Sequence, residues 1–535
     1  MLNYIWFTLL LLGIVTAVTI DISDKATNKF RNNEPLYVLV KFENAKIDSA
    51  KANHATLQIS RTVLKDFYKT DFDDDIDQNI QVAFNKKENR FTTFFETSEN
   101  SPKIWREMAK ISGKENDLSG SIILREKLDS FLYTATFYSE EISFSKMKEV
   151  TNSAIDYAST AVKIAIGLIG IMALWLGLMK IAEQAGLISI IAKVVRPITK
   201  FLFPDVPPDH PAIGSIIMNI SANMLGLGNA ATPFGLKAME ELDSINPEKG
   251  TATNAMCTFL TINTAGLTLI PATAIAVRAA AGSSDPAIII GTSFFGAFCA
   301  TFVGILSAKI LEKFSIPNYN FIDWFKTNIK FIIGFFLIGA SLILAIVLGL
   351  FSMFDIGIIK SVIQAISMLA IPLIIISFVF YGAMKKVKLY EVFVEGAKEG
   401  FNVAVRIIPY LVAMLVAIGI FRAGGAMDFL VMILSPVTNL IGMPAEALPM
   451  ALMRPLSGSG SLGIMSEIIS VHGADSFIGI LVSTFMGSTE TTFYVLALYF
   501  GTVNIKKVRH SVAAGVLADI AGILGALFIV GLLFG

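Results

Sequence analysis

Residues 453–469 read MRPLSGSGSLGIMSEII, and residues 483–492, just beyond them, read STFMGSTETT. Both lie in sequence otherwise apolar enough for a bilayer, so their polar content decides what kind of membrane protein this is. Gly458 and Gly460 weaken a helix, Pro455 removes a backbone donor, and the serines can hydrogen-bond freed carbonyls. Non-helical backbone at membrane depth is tolerated only where it is buried in protein or lines a wet cavity. Arg454 and Glu490 inside such segments are costly and are functional candidates by default. The first half of the chain carries a counterpart: residues 218–231, MNISANMLGLGNAA, followed by residues 260–271, LTINTAGLTLIP. Paired, glycine-interrupted segments in two halves point to a transporter-like binding site.

Composition agrees. Of 535 residues, 54% are hydrophobic and 16% charged, and the mean hydropathy of +0.65 places the chain among polytopic membrane proteins. Lysine plus arginine equals aspartate plus glutamate at 43 each, so no net charge argues for nucleic acid. Cys257 and Cys299 both lie in apolar segments and read as small buried hydrophobes rather than a disulfide. The four histidines are scattered and have no metal-ligand spacing. No cofactor motif and no metal site is expected.

In chain order, residues 2–20 are an apolar run of about spanning length. A retained anchor is favoured over a cleaved signal peptide, because no positive charge precedes the run. Residues 21–148 change character: they are densely charged, with alternating stretches at 36–42, 79–84, 90–95 and 131–137 that read as half-buried strands. Residues 55–68 and 102–111 read as helices, giving a small soluble α+β domain. The acidic run Asp71, Asp73, Asp74, Asp75 and Asp77 lacks the glycine and glutamate of an EF-hand loop and reads as solvated. From 161 onward the chain is apolar again, with spans expected near 161–180, 255–279, 288–310, 331–354, 358–383, 403–420, 477–500 and 512–534. Residues 212–231 and 448–464 are broken by glycines and read as re-entrant.

Basic loops set the orientation. Lys193, Arg196 and Lys200, then Lys309, Lys313, Lys326 and Lys330, then Lys385, Lys386, Lys388 and Lys398, then Lys506, Lys507 and Arg509 share one side only if the two broken segments do not cross fully. That places 21–148 outside the cytoplasm. The halves also align directly: Ala185–Thr199 falls on Gly424–Thr438 at one constant offset, and with a small gap MNISANMLG falls on MRPLSGSGS. The span before the first motif runs inward and the span before the second runs outward, which is an inverted repeat.

A family resemblance is specific here. VTNSAIDYASTAVKIAIGLIGIMALWLGLMKIAEQAGL, IMNISANMLGLGNAATPFGLKAMEEL and NTAGLTLIPATAIAVRA resemble spore maturation protein A. MRPLSGSGSLGIMSEII, STFMGSTETTFYVLALYFG and KKVRHSVAAGVLADIAG resemble spore maturation protein B. The chain is similar to a fused form of the two, with two copies of the nucleoside-recognition Gate domain, of a kind also found in concentrative nucleoside transporters and ferrous-iron permeases. The resemblance implies an anchor at 1–20, a first Gate repeat at 149–315, connecting helices at 316–400 and a second Gate repeat at 401–535. It would have the first span followed almost at once by the region of Val150, so residues 21–148 are an insertion. It also implies a role in spore or envelope maturation.

The candidate binding residues for solute or ion are Asn219, Ser221, Asn223, Asn229, Asn263 and Thr264 in the first half. In the second they are Arg454, Ser457, Ser459, Ser461, Ser488, Thr489, Glu490 and Thr491. Glu490 is the group expected to take a proton, a cation or a substrate amine or hydroxyl, with Arg454 as counter-charge or anchor for an anionic group. The asparagines offer both donors and acceptors to an opposite wall. Glu467 and Asp519 are weaker candidates, the first read as lying by a loop. No enzyme constellation stands up: Ser459 has neither a strand–turn–helix context nor a histidine partner, and no phosphate loop is present. The expected partners are the lipid bilayer, a small polar solute or ion, an envelope protein or peptidoglycan at 21–148, and a second copy in a homo-oligomer; nucleic acid is not one. Three function classes follow: a secondary transporter or permease of the inner (cytoplasmic) membrane, a non-transporting scaffold or sensor, and, least favoured, a membrane-embedded enzyme.

Overall fold

The structure is a computed structural model, which describes residues 2–535 except 46, 49–50, 73, 86–89, 99–100, 113–115, 227 and 315–355. The chain divides into two compact units, one of Phe7–Asp156 with Gly419–Phe429, the other of Met1–Trp6, Tyr157–Ile418 and Leu430–Gly535.

The first unit begins in helix α1 (Leu2–Thr27). Then come β1 (Leu36–Phe42), β2 (Asn53–Ile59), α2 (Arg61–Tyr68), β3 (Ile76–Asn85), β4 (Arg90–Glu96), α3 (Lys103–Ser112), β5 (Asp117–Lys127) and β6 (Leu132–Ser139). The strands pair antiparallel in sequence order, and β6 closes onto β1, giving a six-stranded barrel. Closure removes the exposed edges that an open sheet would present. Alternation explains the interior: Leu36, Val38, Val40 and Phe42 of β1 are buried while Tyr37 and Lys41 face out. Each hairpin is followed by a helix, and these start at Arg61, Lys103 and Ser145, so the domain is built from three hairpin–helix units. Trp105 is fully buried and its indole N–H donates to the Tyr68 hydroxyl at 2.9 Å. The strands expected at 36–42, 79–84, 90–95 and 131–137 are present. The helix expected over 55–68 is not: Asn53–Ile59 is β2, paired to both neighbours, and the helix begins only at Arg61, capped by Ser60, whose hydroxyl accepts from the Val63 amide. The acidic run follows α2; the Asp75 carboxylate accepts from the Arg61 amide at 2.7 Å, Asp71 pairs with Lys65, and Asp73 lies outside the described residues.

The chain leaves the barrel beside its point of arrival. Asn32 exchanges two bonds with Ile142, its side-chain amide donating to the carbonyl at 2.7 Å and its oxygen accepting from the amide at 2.9 Å. The Asp21 carboxylate caps the next helix by accepting from the Lys146 and Met147 amides at 2.8 and 2.9 Å.

The second unit is helical. Its elements are α4 (Ser145–Gln184, entering from the first unit), α5 (Leu187–Leu202), α6 (Pro211–Met224), α7 (Gly228–Ser244), α8 (Asn254–Ala265), α9 (Ala272–Ala280) and α10 (Ile289–Phe314). From residue 356 onward come α11 (Ile356–Met384), α12 (Leu389–Ala423), α13 (Ala426–Leu440), α14 (Leu448–Met453), α15 (Gly458–His472), α16 (Phe477–Ser488), α17 (Thr492–Thr502) and α18 (Ser511–Phe534). Among the described residues five helices are long and apolar enough to cross a membrane: Trp6–Thr27, Ser145–Gln184, Pro286–Lys313, Leu389–Ala423 and Ser511–Phe534. The protein is a mostly helical polytopic membrane protein carrying a small β-barrel. The expected spans at 161–180, 288–310, 403–420 and 512–534 fall inside such helices, and 358–383 falls in α11. The one at 331–354 lies outside the described residues.

Two expected spans are corrected. Residues 255–279 are not one helix but α8 and α9, parted at Gly266–Pro271, and residues 477–500 are α16 and α17, parted at Thr489–Thr491. Helices α10 and α18 pack together through small residues: a Cβ on Gly304 would meet Ala518 at 2.9 Å, and one on Gly525 would meet Cys299 at 2.9 Å. Both cysteines are free thiols.

Candidate functional site

Among the described residues of the helical unit, four apolar segments are interrupted close to one another, at 225–226, 266–271, 454–457 and 489–491. Three of these breaks have a local cause. Gly226 and Gly266 take left-handed backbone (φ +77 and +58), which side chains other than glycine rarely adopt. Pro455 follows α14, and Ser457 starts α15 by accepting from the Gly460 amide at 3.0 Å. Thr489 is extended (φ −144, ψ 169) and stops α16 without glycine or proline.

Helix breaks free backbone groups, and away from water each needs a partner. Here the breaks satisfy one another. The Leu269 amide donates to the Met224 carbonyl at 2.8 Å, and the Phe493 amide donates to the Pro455 carbonyl at 3.1 Å. Between the halves, the Glu490 amide donates to the Thr264 carbonyl at 2.8 Å. The backbones are close there, since a Cβ on Gly266 would lie 3.2 Å from the Glu490 amide nitrogen and 2.7 Å from its Cγ.

A cavity of about 280 Å³ opens at this junction. Asn223, Thr268, Thr273, Arg454, Thr489 and Glu490 give its polar lining. Arg454 is buried: its guanidinium donates to the Thr489 carbonyl and, at 3.4 Å, to the Thr491 hydroxyl, and it lies 3.6 Å from the Glu490 carboxylate. Its Nε is buried with no hydrogen-bond partner among the described residues. Glu490 is 52% exposed, so the pair joins a dry cation to a wet anion. The cavity thus presents charge of both signs beside neutral donors and acceptors.

The remaining expected residues sort by what they touch. Asn223 donates to the Asn263 side-chain oxygen at 2.9 Å, and Tyr499 hydroxyl donates to the same oxygen at 3.3 Å. Asn219 donates to the Ala231 carbonyl at 2.8 Å and lies 3.3 Å from the Tyr499 hydroxyl. Of this network only Asn223 reaches the cavity; Asn219 and Asn263 stand behind it. Ser221, Ser461 and Ser488 donate to carbonyls of their own helices, Ile217, Ser457 and Phe485. They satisfy helix backbone rather than face the cavity. Ser457 is a helix cap, with the Ser459 hydroxyl 3.5 Å from its own. The Thr264 hydroxyl is buried without a partner among the described residues. The side chain of Asn229 lies outside what the structure describes.

Glu467 is not beside a loop. It is fully buried within α15 and accepts from the Tyr157 hydroxyl at 3.3 Å. Asp519 of α18 is also buried, accepting from the Thr492 hydroxyl at 2.5 Å. Tyr499 and Arg278 carry structure that sequence reasoning passed over. Arg278 is fully buried at the end of α9 and reaches Asp475 at 2.9 Å and the Ser283 hydroxyl at 3.0 Å. The Asp475 carboxylate also accepts from the Ser284 amide and hydroxyl at 2.8 and 2.7 Å. This clasp ties the loop after α9 to the loop before α16. A second ties the loop before α8 to the loop after α17: the Lys506 amide donates to the Gly250 carbonyl at 2.8 Å and the Ala252 amide to the Lys507 carbonyl at 3.0 Å. The only sequence signal for Arg278 was a charge inside an apolar run.

Comparison with known proteins accords with this geometry. A family model described as Gate, nucleoside recognition, matches residues 165–280 and 404–506, and these ranges hold all four breaks. The chain is 52% identical over 174 residues to spore maturation protein B of Bacillus subtilis (strain 168), spanning 98% of that protein and 32% of this chain. It is 45% identical over 168 residues to spore maturation protein A of the same organism, spanning 84% of that protein and 31% of this chain. Inner membrane protein YjiG of Escherichia coli (strain K12) is 30% identical over 79 residues, 52% of its length. With two such relatives matched over nearly their whole lengths by separate regions, the chain belongs to the spore maturation protein A and B family and joins both in one polypeptide.

Proposed function

We propose that this protein is a secondary transporter or permease of a small polar solute, acting in spore or cell-envelope maturation. The observation that carries the reading is the meeting of four interrupted helices around one cavity holding Arg454 and Glu490. In this reading the two halves are an inverted repeat, the broken pairs α6–α7 and α14–α15 are re-entrant, and the cavity lies near the midplane of the cytoplasmic membrane. The recurrence of one bond supports it, since Leu269 to Met224 in the first half has its counterpart in Phe493 to Pro455 in the second. The solute's acceptors meet Arg454 and Asn223, its donors meet Glu490, and freed backbone at the breaks exchanges partners as the solute enters. The clasps at Asp475 and at Lys507 are the closures on opposite sides, and residues 21–148 stand outside the cytoplasm. Nucleosides, the class in the family description, are the first solutes to try.

The test is uptake of labelled nucleosides and other small polar solutes by proteoliposomes, with and without a proton or sodium gradient. Accumulation above that of empty vesicles, lost in Glu490→Gln, is expected. Absence of uptake for every solute and gradient, with wild-type folding verified, would reject transport. The second reading, a scaffold or sensor, draws on a wide cleft of about 1220 Å³ on the barrel, lined by Tyr68, Asp77, Gln78, Asn79 and Arg106 among others. Retention of an envelope protein or peptidoglycan by the full-length protein, without uptake, would favour it.

A further inference from the structure

Helix α5 stands apart from the central cavity and the chemistry proposed there. Its exposed apolar residues Ile190, Val194, Ile198 and Phe201 recur at helical spacing, so they form one stripe. Phe201 is 83% exposed. Beside the stripe the helix carries Lys193 and Arg196, both exposed, and neither makes an ion pair among the described residues. A helix with an apolar stripe and a basic flank lies in the plane of a membrane interface, its cations at headgroup level.

The two cations also line a cleft. Between α5 and the start of α6 there is an open hollow of about 490 Å³ whose polar lining includes Ser189, Lys193, Arg196, Asp209 and His210. His210 is partly committed, its Nδ1 accepting from the Ala212 amide at 3.3 Å. Asp209 shares the lining with Lys193 and Arg196, so the hollow holds two cations to one carboxylate and favours a ligand with a single negative charge. Ile213, Ile217 and Met218 supply an apolar floor.

The other half of the chain supplies the control. At the offset that aligns the halves, Ile190, Val194 and Phe201 fall on Phe429, Ile433 and Leu440 of α13, which are likewise exposed. The apolar stripe is therefore kept. The cations are not: Lys193, Arg196 and Lys200 fall on Met432, Ser435 and Asn439. An interfacial helix needs only the stripe. Basic residues on one copy alone select a leaflet whose headgroups are anionic, and they sit where positive loops accumulate.

We propose that the α5–α6 cleft binds the headgroup phosphate of an anionic phospholipid, with Lys193 and Arg196 on the phosphate and the acyl chains passing over the adjoining face of α5 that carries the stripe. The apolar floor of the cleft, together with that interfacial stripe, commits the site to a lipid rather than a free anion. This site goes beyond the transport reading and stands whether or not the central cavity carries solute.

The test measures thermal unfolding of the full-length protein in neutral detergent micelles as phosphatidylglycerol, phosphatidylcholine or inorganic phosphate is added. Phosphatidylglycerol should raise the midpoint saturably, while the other two should not. The apparent affinity should fall about fivefold in Lys193→Gln and again in Arg196→Gln. Lys110→Gln, an exposed cation of the barrel helix α3, should change nothing. Equal stabilisation by phosphatidylcholine would reduce the effect to acyl packing, and an equal shift with phosphate alone would make it a free-anion site. Either result, or an unchanged affinity in both variants, overturns the proposal. Should Lys193→Gln fail to fold, the exposed Arg196→Gln reads the same shift alone.

Discussion

Glu490 and Arg454 were both visible in the sequence, because a charge in an apolar segment must be accounted for. Their relation was not visible. Sequence alone allowed a dry, mutually dependent pair, for which losing one partner costs about 3–5 kcal/mol. The structure divides the burden unequally, with Arg454 3% exposed and Glu490 52% exposed. Arg454 also holds Thr489 and Thr491, so it stabilises the break whether or not Glu490 is charged. Glu490→Gln should therefore cost about 1 kcal/mol or less, and thermal unfolding in detergent measures it. Arg454→Leu strands the Thr489 carbonyl and leaves the Thr491 hydroxyl without its donor, and should cost about 2–3 kcal/mol. In a double-mutant cycle the coupling should stay under about 1 kcal/mol. A Glu490→Gln loss of 3 kcal/mol or more, restored by Arg454→Leu, would make the pair structural after all.

At the scale of elements, legibility followed the cause of each break. Gly226 and the Pro455–Gly460 run announce themselves, since glycine and proline act locally. The break at Thr489–Thr491 has neither, and Arg454, from a different helix, holds its carbonyl; tertiary contact of that kind leaves no periodic trace. The same reason hid β2, whose residues are strand because β1 and β3 flank them. Gly266 permits a sharp expectation. Alanine there must hold φ +58, costing about 1–2 kcal/mol, and its Cβ would press on Glu490 Cγ at 2.7 Å. Gly266→Ala should lower the unfolding midpoint and abolish uptake together, whereas Gly214→Ala, where the added carbon meets nothing within 4 Å, should do neither. The Asp475 clasp adds a pH dependence. Burial alone would raise this carboxyl's pKa, but hydrogen bonds from Ser283 and Ser284 and the charge of Arg278 outweigh it and hold the value below the ordinary 3.8. A depressed folded-state pKa gives stability that is present above 3.8 and lost as pH falls through the folded value. The clasp should thus be intact from neutrality down to about pH 4 and loosen below it. Amide exchange at 281–285 and 473–476, corrected for intrinsic rates, should show this, and Asp475→Asn should show faster exchange there at neutral pH.

For the whole molecule, hydropathy and the family motifs made the membrane character and the two Gate segments readable. The barrel's closure was not readable, because which strand meets which depends on the three hairpin–helix units coming together. Orientation rests on the basic loops, and labelling tests it. Lys386→Cys should react with an impermeant maleimide only after the membrane is opened, and Asp66→Cys, on the exposed side of α2, should react in intact cells. Reaction of Lys386→Cys from outside would reverse the topology.

The paired bonds of Asn32 with Ile142, next to the Asp21 cap on α4, have a consequence for how such a chain is assembled. Because the two ends of the barrel are stitched at one point, the barrel is expected to behave as a detachable cassette. A chain in which a short glycine–serine bridge replaces residues 33–141 should insert into membranes with the same unfolding midpoint for its helical part. A lineage could gain or shed the cassette in a single recombination without renegotiating the helices on either side.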